Sequence, residues 1–150
     1  MVYDKAKWHL NEAFPKDLPS FQSNVHCGFF LGWAINNNLI SDDFRDDYSN
    51  EITQFNMGYL TGPQLFEISD SVLSSDELNE TGNRFAMDYY ATNIYFDDYE
   101  KYFANGNDCL FRVVDSDENF AVVTQFLNER YATWRKTQAS TSSDANSASN

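Results

Sequence analysis

Apolar residues along this chain recur at three- and four-residue steps within blocks separated by polar runs, which is the signature of packed helices. From Phe21 onward, His26, Phe29 or Phe30, Trp33 and Asn37 follow those steps and predict a central buried helix ending in Asn36-Asn37-Asn38. Gly28 and Gly32 weaken that helix intrinsically, and their benefit is close approach of another helix or an aromatic ring. Ser41 before Asp42-Asp43 predicts an N-cap and a helix to about Phe55. Thr61-Gly62-Pro63-Gln64 has capping-box spacing and leads a short helix through Leu65, Phe66 and Ile68. Ser74 and Glu77 repeat the box before a helix expected from about Asn79 to Asn93.

Residues Ile94 to Phe103 fit either a helix or a short strand, and the spacing of Tyr95, Tyr99 and Tyr102 favours the helix. Asn105-Gly106-Asn107-Asp108 is a turn by composition, and Leu110-Phe111-Arg112-Val113-Val114 has the character of a short strand. Asp115 and Glu118 offer a last capping box, after which Phe120, Val123, Leu127, Tyr131 and Trp134 step along one helical face. At the other end, Pro15 and Pro19 forbid a continuous helix and predict an extended N-terminal arm pinned by Trp8 and Phe14. The expected fold is mainly α. It is a single-domain bundle of five to six helices, with the arm and at most a short β segment near residues 109–114.

Composition divides the chain once. Residues 1–136 form the expected acidic helical domain, whereas 137–150 contain only Thr, Gln, Ala, Ser, Asp and Asn and predict a disordered polar tail. The tail carries one acid, Asp144, so the formal net charge of -13 belongs almost wholly to the body. Such acidity argues against direct nucleic-acid binding, which needs Lys and Arg to neutralise phosphates, and against an anionic membrane surface. No apolar run is long enough to span a bilayer, and the start leads into no signal-peptide core. Together with two cysteines, Cys27 and Cys109, that lack any CxxC spacing, this predicts a cytoplasmic protein with reduced thiols.

Candidate chemistry is sparse. His9, His26 and the two thiols lack the short paired spacings of zinc sites, so their ordinary reading is structural, and no metal or cofactor is expected. Cys27 and His26 are helix neighbours whose side chains diverge by about 100°, which speaks against a catalytic dyad. No phosphate-binding, dinucleotide, nucleophile-elbow or HExxH signature occurs, and the chain is not expected to be an enzyme. The distinctive feature is acid clustering. Asp42, Asp43, Asp46 and Asp47 place like charges four residues apart on one helix, each pair costing about 0.2–0.5 kcal/mol, offset partly by Arg45. Asp97-Asp98-Tyr99-Glu100 interleaves tyrosine with acids. Asp42, Asp43, Asp46, Asp47, Asp97, Asp98 and Glu100 are therefore the candidate contacts for a basic partner.

Tyr3-Asp4-Lys5-Ala6-Lys7-Trp8-His9, Phe14-Pro15-Lys16-Asp17-Leu18-Pro19 and the block from His26 to Ile35 resemble a bacterial family of small acidic proteins of unknown function. The segment Glu77 to Ala86, Tyr89-Tyr90, Asp97-Asp98-Tyr99 and Asn128 to Trp134 are similar to the same pattern. Cys27 and Gly32 depart from it. The resemblance implies genes beside polymorphic or secreted toxins, and hence an immunity protein that neutralises a cognate toxin by occlusion; it transfers no catalytic residues. The alternatives are a small metal-dependent enzyme using His9, His26 and a carboxylate, or a regulatory adaptor that binds a host protein.

Overall fold

A helix that is apolar on every side has to be surrounded, and the helix at Val25–Asn36 is buried at every position from Val25 to Ile35. The computed structural model describes residues 1–104 and 109–148, with side chains described to 141. In chain order its elements are β1 (Val2–Lys5), α1 (Val25–Asn36), α2 (Asp42–Asp47), α3 (Ser49–Asn56), α4 (Gly62–Ile68), β2 (Val72–Ser74), α5 (Glu80–Tyr89), α6 (Ile94–Phe103) and α7 (Asp117–Ala148). Single 3-10 turns at Ala6–His9, Ser20–Asn24 and Leu110–Arg112 join them. The mainly helical class is as expected, with seven α-helices among the described residues.

α1 and α4 meet backbone to backbone because two glycines face each other. A Cβ on Gly28 would lie 2.2 Å from Pro63 Cα, and one on Gly62 would lie 2.3 Å from the Gly28 carbonyl oxygen. A Cβ on Gly32 would meet the rings of Phe55 and Phe120 at 3.2 and 3.3 Å. Thus both approaches that the glycine spacing predicts, by a helix and by aromatic rings, are present. Around α1 the core is aromatic: Phe30, Trp33, Phe85, Tyr90 and Tyr95 are all buried, with ring centroids 5.1–5.5 Å apart in the Phe30–Tyr90, Phe30–Tyr95 and Trp33–Phe85 pairs. α7 closes the bundle along the expected stripe, with Val123 and Leu127 fully buried and Phe120, Tyr131 and Trp134 packed at its margins.

Local signals read well. Ser41 Oγ accepts from the Phe44 N–H at 3.1 Å, and Thr61 with Gln64 forms the full capping box. Four expectations need correction. The predicted helix over 42–55 breaks at Tyr48 (φ -119°, ψ 31°) into α2 and α3. Glu77 accepts from Ser74 N–H at 3.2 Å as in a box, but Ser74 Oγ accepts from Asp76 N–H, so the pair closes a turn, and Asn79 caps α5 by accepting from Gly82 N–H at 2.8 Å. At α7 the cap is Ser116, which accepts from Asn119 N–H at 3.1 Å, because Asp115 instead accepts from Thr61 Oγ1 at 2.5 Å. Finally, Leu110–Arg112 is a 3-10 turn instead of a strand. Among the described residues no strand pairs with it: the Phe111 and Val113 carbonyls accept from Gln22 Nε2, each at 2.9 Å.

The β structure lies elsewhere. β1 pairs antiparallel with β2, and the register shifts between Val2 and Asp4. Such a bulge re-aims a side chain, and here both Tyr3 and Asp4 are buried although they are adjacent in sequence. The N-terminal arm is therefore a strand followed by the turn at Ala6–His9, with Phe14 against Phe111 at 5.2 Å. Trp8 does not pin it: that ring is half exposed beneath Lys5. The predicted turn at 105–108 lies outside the described residues. α7 continues as helix through 137–148, where composition predicts a tail, and Thr137 and Thr141 there bond back to carbonyls four residues earlier.

Candidate functional site

Two places gather charge, one inside the bundle and one on its surface. The interior centre is built on Asp4, whose side chain is 3% exposed. β1 presents the carboxylate, the following 3-10 turn folds His9 back over it, and the first turn of α1 brings His26 from the other side. His9 Nε2–H donates to Oδ1 at 2.7 Å and His26 Nε2–H to Oδ2 at 2.9 Å. The Tyr90 hydroxyl, at the end of α5, also donates to Oδ2. Because an ionised carboxylate only accepts, the contacts fix the proton of each imidazole on Nε2.

Charge and burial compete at this centre. Burial alone would raise the Asp4 pKa, but bonds from His26, His9 and Tyr90 together outweigh it and hold the group well below the usual carboxylate range. For His26 burial wins: desolvation lowers its pKa despite the attraction of Asp4. Phe96 and Phe111 stand 5.3 and 5.7 Å from the His26 ring, so its surroundings are apolar, and its Nδ1 is buried without a hydrogen-bond partner. His9 is the open side, 20% exposed, with its ring edge-on to His26 at 4.8 Å. Cys27 points into the same interior, where burial raises its thiol pKa and keeps it a poor nucleophile.

The surface site is a groove of about 450 Å³ between α2, the α4–β2 turn and the loop before α5. Its acids are Asp43, Asp47, Asp70, Asp76 and Glu77, over a floor containing Phe44 and Tyr48. The backbone holds these walls together: Ser41 N–H donates to the Glu77 carbonyl at 3.0 Å and Ser41 Oγ–H to the Asp76 carbonyl at 2.7 Å. Asp70 sits at φ 73°, a left-handed conformation that Asp tolerates better than most residues. Partial burial, then the charges of Asp70, Asp47, Glu51 and Glu77, raise the Tyr48 pKa. Among the described residues, none of Asp43, Asp47, Asp70 and Asp76 forms an ion pair. Arg45, expected to offset the α2 acids, donates to Asn38 Oδ1 at 2.7 Å.

The sequence-derived candidates therefore divide. Asp42, Asp43, Asp46 and Asp47 are exposed on α2, and Asp43 and Asp47 line the groove. Asp97 and Glu100 are exposed on α6, and Glu100 lines a separate cleft beside Phe103 and Leu110. Asp98 is withdrawn from the docking set. It is 7% exposed and accepts from Arg130 at 2.8 and 2.9 Å and from the Tyr89 hydroxyl at 2.6 Å, a pairing that joins α6, α7 and α5. Asp70, Asp76 and Glu77 were missed as groove acids because only the chain's return through β2 sets them beside α2. Asp4 was missed as the acceptor of both histidines, although a lone His inside the apolar run Val25–Ile35 signals a buried partner.

No helix among the described residues is long and apolar enough to cross a membrane. No curated protein and no solved structure matches the chain significantly. Residues 2–113, which include β1, both histidines and the whole acidic groove, match a domain of unknown function, DUF7832, and the chain belongs to that family.

Proposed function

We propose that this chain is a protein-binding inhibitor whose acidic groove receives a basic segment of a partner, and that the partner is a toxin neutralised by occlusion of its active site or substrate path. The observation that carries this reading is the groove itself: five acids line one concavity whose walls are tied together before any partner arrives. Exposed acids of one sign accelerate encounter with a basic surface, and a preformed groove loses little conformational freedom on binding. The floor adds selectivity. Tyr48, partly buried on the buried Phe44 ring at 5.0 Å, is an aromatic lining residue against which a guanidinium can pack, which suits arginine. A toxin that acts on nucleic acid has a basic cleft of this kind, and carboxylates there take the place of phosphates. Immunity, as distinct from inhibition of another basic protein, rests on the family resemblance to proteins encoded beside toxins.

The test is co-expression with the inactivated product of the neighbouring gene, followed by purification across a salt series. A one-to-one complex that weakens with salt is expected for the wild-type chain. Asp43→Lys with Asp47→Lys is expected to lower affinity by at least about tenfold and flatten the salt dependence. An unchanged affinity in that double variant would overturn the assignment of the groove.

A further inference from the structure

We propose that Asp4, His9 and His26 form a binding site for one divalent transition-metal ion of the zinc class. Three segments, β1, the 3-10 turn and α1, deliver one oxygen and two imidazole nitrogens whose ligating atoms all lie within 4.8 Å of one another. Two imidazoles and a carboxylate are a donor set that suits zinc and its neighbours, not magnesium or calcium, which take oxygen ligands. With metal–ligand bonds of about 2.0–2.1 Å, neighbouring ligand atoms stand roughly 3.0–3.4 Å apart. The His9–Asp4 and His26–Asp4 contacts, at 2.7 and 2.9 Å, are a few tenths of an ångström shorter. The remaining nitrogen–nitrogen edge closes by movement of His9, which stands on a short turn and is the one ligand with an exposed edge.

The carboxylate is held from behind, whereas the His26 ring is held by packing alone, its Nδ1 having no hydrogen-bond partner. Tyr90 hydrogen-bonds the carboxylate, as groups behind metal ligands do, and orients it toward the imidazoles. Phe96 and Phe111 pack against both imidazoles, Phe111 at 5.2 Å from His9 and 5.7 Å from His26, so the exposed edge of His9 is the route of approach. Without an ion the two Nε2 protons occupy the space between the ligands. Uptake by neutral imidazoles moves each proton to Nδ1 and gives both Nε2 lone pairs to the metal, so charge and protons balance without a co-reactant.

The experiment uses the untagged full chain and zinc alone. Equilibrium dialysis with elemental analysis is expected to return one equivalent per chain at micromolar free zinc, together with a higher thermal midpoint and a shift of both histidine side chains to the Nδ1–H tautomer in nitrogen NMR. His9→Gln retains a donor for Asp4 but removes the nitrogen ligand, and is expected to weaken binding at least about 100-fold while its metal-free form stays folded. His26→Gln serves as the second variant, keeps a donor for Asp4 and is expected to weaken binding likewise. Asp43→Asn with Asp47→Asn, which tests the acidic groove as the true site, is expected to bind as the wild type does. A folded wild-type chain without a stoichiometric ion, or zinc lost through the groove variant and kept by His9→Gln, would overturn the proposal.

Discussion

The interior centre and the acidic groove treat the same functional group in opposite ways. Asp4 is buried and surrounded by donors, while Asp43, Asp47, Asp70 and Asp76 are exposed and lack ion pairs among the described residues. A chain with 23 acids and 10 Lys and Arg has few cations to spare, and it satisfies its buried carboxylates largely with neutral donors. Two imidazoles and a phenol hold Asp4; a phenol and one arginine hold Asp98. The contrast separates acids that the fold needs from acids that it tolerates. Charges kept together at some cost to the helix, with no ion-pair partner among the described residues, are the ones the proposed inhibitor role would use.

The sharpest way to break this comparison is at Asp4. Asp4→Ala leaves His9, His26 and Tyr90 as donors without their acceptor, and a loss of about 3–5 kcal/mol in chemical denaturation is expected. Gly28→Ala comes next, because its Cβ would press on backbone atoms of Pro63 and not on a yielding side chain. Separating α1 from α4 is expected to cost about 3 kcal/mol. If either change leaves stability untouched, the interior is not the organising centre described here.

Acid sharpens the same contrast. His26 is held neutral in the folded chain, whereas the unfolded histidine takes up a proton below its ordinary value of 6.5, so stability is expected to fall as pH drops through that range. A second loss follows as pH falls below 3.8, where the unfolded Asp4 protonates and the folded one resists. Burial raises the Asp115 pKa, which opposes the second loss in part. Denaturation midpoints measured from pH 8 to pH 3 check both phases, and His26→Gln should remove the first. Neutralising the groove has the smallest effect on the fold. Asp43→Asn with Asp47→Asn removes an i, i+4 repulsion and is expected to stabilise by about 0.2–0.5 kcal/mol.

How much of this was legible in the sequence depends on distance along the chain. The caps at Ser41 and Thr61, the buried α1, its close-approach glycines and the α7 stripe are set by residues within one or two turns, and they read correctly. The β1–β2 pairing joins Val2 to Ser74, and the His–Asp centre joins residue 4 to residues 26 and 90; neither leaves a local spacing to recognise. Asp115 shows the same limit, since a carboxylate suited to capping was taken by Thr61 from another helix. The α2 acids were conspicuous as a run, but the groove needed Asp70 and Asp76 from across the fold.

The central claim is that the groove acids serve binding and not stability. Its most direct test is the affinity of the inactivated neighbouring gene product for the wild-type chain and for Asp43→Lys with Asp47→Lys, at two salt concentrations, with thermal midpoints measured alongside. The account predicts closely similar midpoints, an affinity at least about tenfold weaker in the variant, and a salt dependence that is strong only in the wild type. Equal affinities with equal salt dependence in a confirmed complex would contradict it.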